Sequence, residues 1–572
     1  MTAWIQKKVR LAIILRSTTQ PHNIADMKSA RLVLVAALLA PLASLHAQAV
    51  PQLQRITPNE IDAHIQFLAS DLLEGRAPAT RGDKLSTEYI ATQLKAFGVE
   101  PGVTGSYFQE VPIDVVGATN GSVSVTASGK ATATLRYPEG VVVWAGSATP
   151  TSVARGELVF IGYGAFAPEY RWDDFKGMDL KGKVLLVLVN DPPAPASEPN
   201  LFGGKAMTYY GRWTYKFEEA ERRGAAGMLI VHTTDRAGYP WHTVVGSWAK
   251  EQRMLPRDPK PPAPIGVRGW ITDSAATALL AQAGLSMQTL RKQAESRDFR
   301  PVATGIDMDA HFTNKVEHLK SANVVGVVRG RDPKLRDEYV AYSAHWDHHG
   351  IGPVVNGDSI YNGASDNASG VADVLAIARS AAASPKPRRS QLFLFVTAEE
   401  SGLLGSQYYG ENPTVPAASI IANLNVDGGN ILGRVKDLHV LGDTKSSLGP
   451  SLARFVAQSG MRLSPDAHPE AGYFYRSDHF SLAKVGIPSV SIGEGNDFVG
   501  LPKEWGAKQH DDYTAHRYHQ PSDEYHAGWD LSGAVQLSGI VQRFGWQLAN
   551  APGVPTWNAD AEFKPLRDKQ RK

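Results

Sequence analysis

Tyr339-Val340-Ala341-Tyr342-Ser343-Ala344 is a short apolar run that leads straight into His345-Trp346-Asp347, and this junction decides the fold. Apolar runs of about four to eight residues suit strands buried on both faces. Asn323 to Val328, Gln391 to Thr397, Ile420 to Val426, Leu438 to Leu441 and Ile487 to Ile492 read the same way. Helical stretches such as Gly370 to Ala383 and Gly449 to Gln458 lie between them. The expected fold is α/β, a mixed central sheet flanked by helices.

Three of these strands end on ionisable groups. Tyr339 to Ala344 runs into His345 and Asp347, Gln391 to Thr397 into Glu399-Glu400, and Ile420 to Val426 into Asp427. Sites in open α/β sheets form beyond the carboxyl ends of strands, so these groups are aimed at one region. Between the first two strands, Gly363-Ala364-Ser365-Asp366-Asn367-Ala368-Ser369-Gly370 places Asp366 on a glycine-flanked turn before a helix. A carboxylate there can give one oxygen to each of two cations about 3.5–4 Å apart. His345 and Asp427 complete one metal, and Glu400 with a more distant histidine the other. Glu399 is left for proton transfer, and Asp347 is placed to orient His345. After the last core strand His510, His516, His519 and His526 all remain candidates, and spacing does not choose among them.

The chain has no cysteine, which excludes a disulfide framework, a thiolate zinc site and a cysteine nucleophile. Any metal must be held by His, Asp and Glu. Met27 to Ala49 has the basic start (Lys28, Arg31), apolar run (Leu32 to Leu45) and small-x-small end (Ala47-Gln48-Ala49) of a signal peptide, predicting export to the periplasm or the medium. The apolar run is too short to span a bilayer, so no stable membrane insertion is expected. Residues 1 to 26 read as an upstream extension, with Met27 the initiator. Without residues 1 to 49 the chain carries 53 basic and 56 acidic residues, a net charge of about −3 rather than +2. That balance, with no basic run interleaved with aromatics, excludes nucleic acid as a partner. Nothing in the sequence fixes an oligomeric state.

Two amphipathic helices open the mature chain, one capped by Thr57 with Glu60 reaching back, the other running from Arg81-Gly82 to Gly98. The texture then changes to short strands, Pro-rich loops and one helix from Trp213 to Arg223, marking a smaller β-rich unit. The expected division is 50–135 for the first part of a catalytic domain, 136–300 for an inserted domain, 301–550 for the main catalytic part and 551–572 for a tail. Its Lys/Arg-rich end after Pro565 reads as solvated.

His345-Trp346-Asp347, Gly363 to Gly370, Thr397-Ala398-Glu399-Glu400, Asn425-Val426-Asp427 and Tyr518-His519-Gln520-Pro521-Ser522-Asp523 resemble the successive motifs of the co-catalytic two-zinc metallopeptidases, family twenty-eight. That family contains secreted bacterial aminopeptidases and glutamate carboxypeptidases. The resemblance implies a zinc exopeptidase fold of the phosphorylase/hydrolase-like kind and two zinc ions per chain. By it His345 and Asp427 bind one zinc, Glu400 and His519 the other, and Asp366 bridges. Glu399 is then the general base, Asp347 the orienting acid and Tyr518 a stabiliser of the oxyanion, with a cis peptide after Asp366. Tyr475 to His479, followed by Gly486-Ile487-Pro488, is similar to a segment lining the substrate pocket. Phe160 to Gly164, Leu180 to Val184 and Ala220 to Ile230 are similar to the protease-associated domain. Tyr170 and Trp172 read as packing residues.

The implied reaction is hydrolysis of the N-terminal residue of peptide substrates by a water that two zinc ions activate. The same machinery serves a carboxypeptidase or dipeptidase acting on acidic or short peptides, for which Arg476 is the one basic residue near the pocket motifs. A glutaminyl cyclase uses one zinc, and the presence of both His345 and Asp427 argues against it. A non-catalytic binding ectodomain on the same fold loses its ligands, whereas here none of the expected ones is missing.

Overall fold

The computed structural model describes residues 52–257 and 262–571; the expected signal, 27–49, lies outside them. Four parallel strands form the centre of the main sheet, in the order Ser390–Val396, Tyr339–His345, Ile420–Asn425 and Ser489–Glu494. Their carboxyl ends share one edge. Antiparallel strands flank them: Val302–Val328 and then Phe108–Ala118 on one side, Asp437–Leu441 on the other. The sheet is therefore mixed, as its apolar runs predict.

Continuous apolar strands need cover on both faces. Helices Pro58–Leu68, Arg81–Ala96, Gly370–Ala383 and Ser532–Asn550 bury one face around Val340, Tyr342, Phe393 and Leu424. Leu482, Ile487 and Tyr409 cover Val325, Ala341 and Leu394 on the other. Truncating such a buried Leu to Ala typically costs about 2–5 kcal/mol. The first helix stops at Leu68, where the chain tightens into a turn over Asp71–Arg76; Leu72 is left exposed. Thr57 makes no side-chain cap, and Glu60 pairs with Arg379 instead of reaching back.

A second sheet joins Ser124–Ser128, Val141–Ala145, Thr151–Phe160, Val184–Leu188, Gly227–His232 and Val267–Thr272. The strand Val302–Val328 belongs to both sheets. Its first part, to Thr313, pairs with Thr151–Phe160, and from Asn314 onward it pairs with Phe108–Ala118. Ser124–Ser128 already lies in the second sheet, ahead of the expected domain boundary at 136. No linker marks the passage.

The chain end corrects the expectation of a solvated tail. Lys564–Gln570 is a helix, with Arg567 only 5% exposed and donating to the carbonyls of Ala417 (3.0 Å) and Ile420 (2.7 Å). Trp557 and Phe563 are buried beside it. Its charges cap open carbonyls at the start of a core strand rather than facing water. Among the described residues no helix is long and apolar enough to cross a membrane.

Candidate metal centre

The shared edge of the parallel strands gathers the predicted residues. His345 ends its strand, Glu399 and Glu400 follow Val396 through Ala398, which has a left-handed φ of 53°, and Asp427 follows Asn425. Asp366 comes from the turn before Gly370–Ala383, and the Asp366–Asn367 peptide is cis. Gly363, at φ 57°, and Gly370 make this turn possible: a Cβ on Gly370 would stand 2.1 Å from Asn367 Oδ1. Asn367 accepts from the N–H of Gly428 (2.9 Å) and Ser369 accepts from Gly429 (2.7 Å), which stitches the turn to the Asp427 loop.

Asp366 faces both ways. Its Oδ1 lies 3.3 Å from His345 Nε2, which is 3.2 Å from Asp427 Oδ1. Its Oδ2 lies 3.4 Å from His519 Nε2, which is 3.2 Å from Glu400 Oε2. Two groups result, His345–Asp366–Asp427 and Asp366–Glu400–His519, each with ligand atoms within 4.8 Å of one another.

The donor set fits a pair of zinc ions. Zinc–ligand bonds of about 2.0–2.1 Å in a tetrahedron put neighbouring ligand atoms about 3.3 Å apart. The four separations above span 3.2–3.4 Å. His519 Nε2 and Glu400 Oε1 are buried without hydrogen-bond partners. The charge also calls for cations, since Asp366, Asp427, Glu399 and Glu400 crowd two imidazoles. His519 is driven up to about 10 by Asp366 and Glu400 against the opposing effect of burial. Burial, reinforced by Asp427 and Glu400 and opposed by His345, holds Glu399 well above the ordinary carboxyl range.

Among the four late histidines only His519 reaches the centre. His510 contacts Glu494 (3.2 Å), His516 contacts Asp512 (3.1 Å), and His526 packs edge-on against Trp529. The Tyr518 ring stacks on His519 at 3.7 Å and is half exposed. Asp347 is fully buried, and burial raises its carboxyl to about 7. Its backbone oxygen, 3.2 Å away, is nearer to His345 Nδ1 than its carboxylate at 3.8 Å; Oδ1 instead accepts from the Glu399 N–H. His479 is completely buried, edge-on to Phe474 at 4.9 Å, a packed residue that opens the helix His479–Lys484 rather than part of a pocket wall. Trp172 is likewise packed, donating to Asp174.

Sequence reasoning missed several neighbours. His348 Nδ1 sits 2.7 Å from Glu400 Oε1, at an angle outside that of a hydrogen bond, and His349 Nε2 lies 3.5 Å from Oε2. These three form a further cluster that shares Glu400. Asp523, the last residue of its motif, accepts from the N–H groups of Ser365 and Asp366 (3.0–3.2 Å) and so fixes the bridging turn. Arg76, 1% exposed, donates to the carbonyls of Trp346 (2.8 Å), Leu68 (2.6 Å), Asn362 and Gly363 (2.8 Å). The run His345 to His349 was the available signal for the imidazoles; Arg76 left none.

Residues 323–539 match the family model "Peptidase family M28". Over 156 residues the chain is 30% identical to leupeptin-inactivating enzyme 1 of Streptomyces exfoliatus, covering 26% of this chain and 34% of that protein. Over 211 residues it is 24% identical to leucine aminopeptidase 2 of Trichophyton equinum, covering 36% of this chain and 40% of that protein. It thus spans well under half the length of these curated relatives. An aminopeptidase from Aneurinibacillus sp. strain AM-1 aligns structurally with a TM-score of 0.44 at 20% identity, over 87% of this chain and 95% of that one. The matched stretch holds His345, Asp366, Glu399, Glu400, Asp427 and His519, so it is the part of the chain that carries the ligand groups that is similar to peptidase family M28.

Proposed function

We propose that the protein is an exported zinc aminopeptidase that removes N-terminal residues from peptides, with two zinc ions per chain. The observation that carries this reading is Asp366, whose two carboxylate oxygens each face a separate histidine–carboxylate pair. His345 and Asp427 would hold one ion, Glu400 and His519 the other, with Asp366 shared. Bound there, the ions supply Lewis acidity for the scissile carbonyl and for water.

The remaining work falls to the chain's own groups. Glu399 accepts a proton from the attacking water and delivers it to the leaving amine, and its raised proton affinity suits it to hold that proton between the two events. Asp347 fixes the Glu399 backbone through the 3.1 Å hydrogen bond to its N–H, and lies against His345. Tyr518, whose hydroxyl has no hydrogen bond among the described residues, donates to the oxygen that gains charge. The acidic surroundings hold the substrate's free ammonium. The unit 136–300 serves as an inserted protease-associated domain forming a wall of the cleft.

Aminoacyl-nitroanilides and N-blocked peptides, assayed with and without chelator, test this reading. The unblocked substrates are cleaved and chelation abolishes the activity. Glu399→Gln keeps its zinc and loses about 10²–10⁴-fold in kcat. Full activity after thorough chelation overturns the metal reading, and a near wild-type rate for the variant overturns the base.

A further inference from the structure

A cavity of 580 Å³ opens on the metal centre, and its walls include His348, His349, Glu400 and His519. A smaller one of 340 Å³, lined by Arg212, Glu399 and Tyr518, adjoins it, the two sharing Trp213, Glu218 and Glu400. Four consecutive residues, Gln252 to Leu255, form part of the larger cavity's wall. A strand that turned one face to the cavity would line it with alternate residues, because successive side chains point to opposite faces. Consecutive residues mark a strand that presents its backbone edge.

That edge is open. Gln252–Met254 pairs with Phe108–Ala118 and, among the described residues, with no other strand. The register decides which of its groups face outward. Thr119, the residue after Phe108–Ala118, donates to the Thr313 carbonyl (2.9 Å), so the odd-numbered residues of that strand are the ones bonded to Val302–Val328. Asp114 and Val116 therefore turn toward Met254 and Gln252, while Val115, opposite Arg253, turns away. Bonded and unbonded pairs alternate in an antiparallel ladder, which leaves the N–H and C=O of Arg253 pointing out of the sheet. Arg253 is exposed.

An edge with an unfilled donor and acceptor is a template for one more strand. Peptides are recognised in this way through main-chain hydrogen bonds, largely whatever their side chains. The occupant follows from what the edge adjoins: the cavity that holds Arg253 also holds Glu400 and His519, so a chain laid along the edge leads to the metal centre. Trp213 and Trp248, edge-on to each other at 5.4 Å, give the same cavity apolar surface for the side chains of that chain.

We infer that the open edge at Arg253 docks the backbone of an extended peptide as an added strand, so that the preferred substrates are peptides of several residues rather than dipeptides. This rests on the peptidase reading above and names its substrate class. A substrate that gives up its N-terminal residue has further chain only beyond the scissile bond, and it is this downstream chain that lies along Gln252 to Leu255.

The test measures kcat/KM of the zinc-loaded enzyme for Leu-Ala-amide and for a series lengthened by one alanine at a time to seven residues. The expected result is a rise of about 10–100-fold once the chain reaches Arg253, as two main-chain hydrogen bonds provide, and a plateau beyond. A single N-methyl group moved along the downstream amides of the longest peptide finds one position that loses the gain. Arg253→Pro, which an edge strand accepts where its N–H faces outward, removes the donor and flattens the rise; Arg253→Ala keeps the N–H and keeps the rise. The ratio of long to short peptide within one protein is insensitive to the fraction folded.

Rates within twofold across the series, or an equal rise in Arg253→Pro, overturn the docking edge. So does a dimer in gel filtration that Arg253→Pro dissolves, found without any dependence on peptide length, because the edge then serves a second copy of the chain. Anisotropy of the longest peptide, dye-labelled at its C-terminus, on zinc-loaded Glu399→Gln reads the same preference without turnover. A chain that cleaves nothing but binds the long peptide, and loses it in Arg253→Pro, fails the peptidase reading and keeps the edge.

Discussion

Asp366 presents Oδ2 to His519 at 3.4 Å while its Oδ1 stands 3.3 Å from His345, so one carboxylate is common to both ligand groups. Asp366→Ala should therefore empty both metal positions, whereas Asp427→Ala should spare the Glu400–His519 position. Elemental analysis after dialysis distinguishes them: near zero zinc per chain in the first, near one in the second. Equal zinc contents would show that Asp366 is not shared.

His348 lies against Glu400 Oε1 at 2.7 Å with its ring fully buried. It limits where Glu400 can point without being required as a ligand. His348→Ala should weaken the metal held by Glu400 and His519 about 10–100-fold, a usual size for lost support of a metal ligand. Competition with a graded zinc buffer measures it, and an unchanged second affinity would remove His348 from this role.

Arg76 joins the end of the Tyr339–His345 strand to the turn at Gly363 through the carbonyls of Trp346 and Gly363. Arg76→Met strands buried acceptors that a charged donor had satisfied, at about 1–3 kcal/mol for each group left unpaired. Urea unfolding of the metal-free protein should show a loss of about 3 kcal/mol or more. A loss below about 1 kcal/mol would mean that water replaces the guanidinium.

His64 is 6% exposed, 2.8 Å from the Tyr89 hydroxyl, and is lowered to about 4 by burial and then by Arg379. The unfolded chain takes up a proton below about 6.5 that the folded chain refuses until about 4. Stability from this group is therefore complete above pH 6.5 and lost as the pH falls toward 4. His64→Gln should flatten the change in unfolding free energy between pH 7 and 4.5 by about 2–3 kcal/mol relative to wild type. Parallel pH profiles would refute the assignment.

What the sequence made legible follows the strength of each local signal. The central strands are buried on both faces, so their apolar runs and the ionisable groups after them stand out and bring His345, Asp366, Glu400 and Asp427 together. His519 was not separable from its neighbours by spacing, because its place is set by a chain reversal at φ 56° and not by periodicity. Val302–Val328 appeared only in its last six residues, since the earlier part alternates exposed and buried positions as it changes sheets. Arg76, Arg212 and Arg567 were hidden for a common reason: a buried guanidinium is recognised by the carbonyls or cavity around it, and these come from distant segments.

The strand shared by the two sheets has a mechanical consequence. Arg212 is carried by the unit whose sheet continues through Val302–Val328 into the catalytic sheet; Ala118 joins Ser124 through a short turn, and Gln252–Met254 pairs back onto Phe108–Ala118. None of these connections is a free hinge. The spacing between Arg212 and Glu399, which line one cavity, is thereby held by hydrogen-bonded backbone rather than by a loop free to swing.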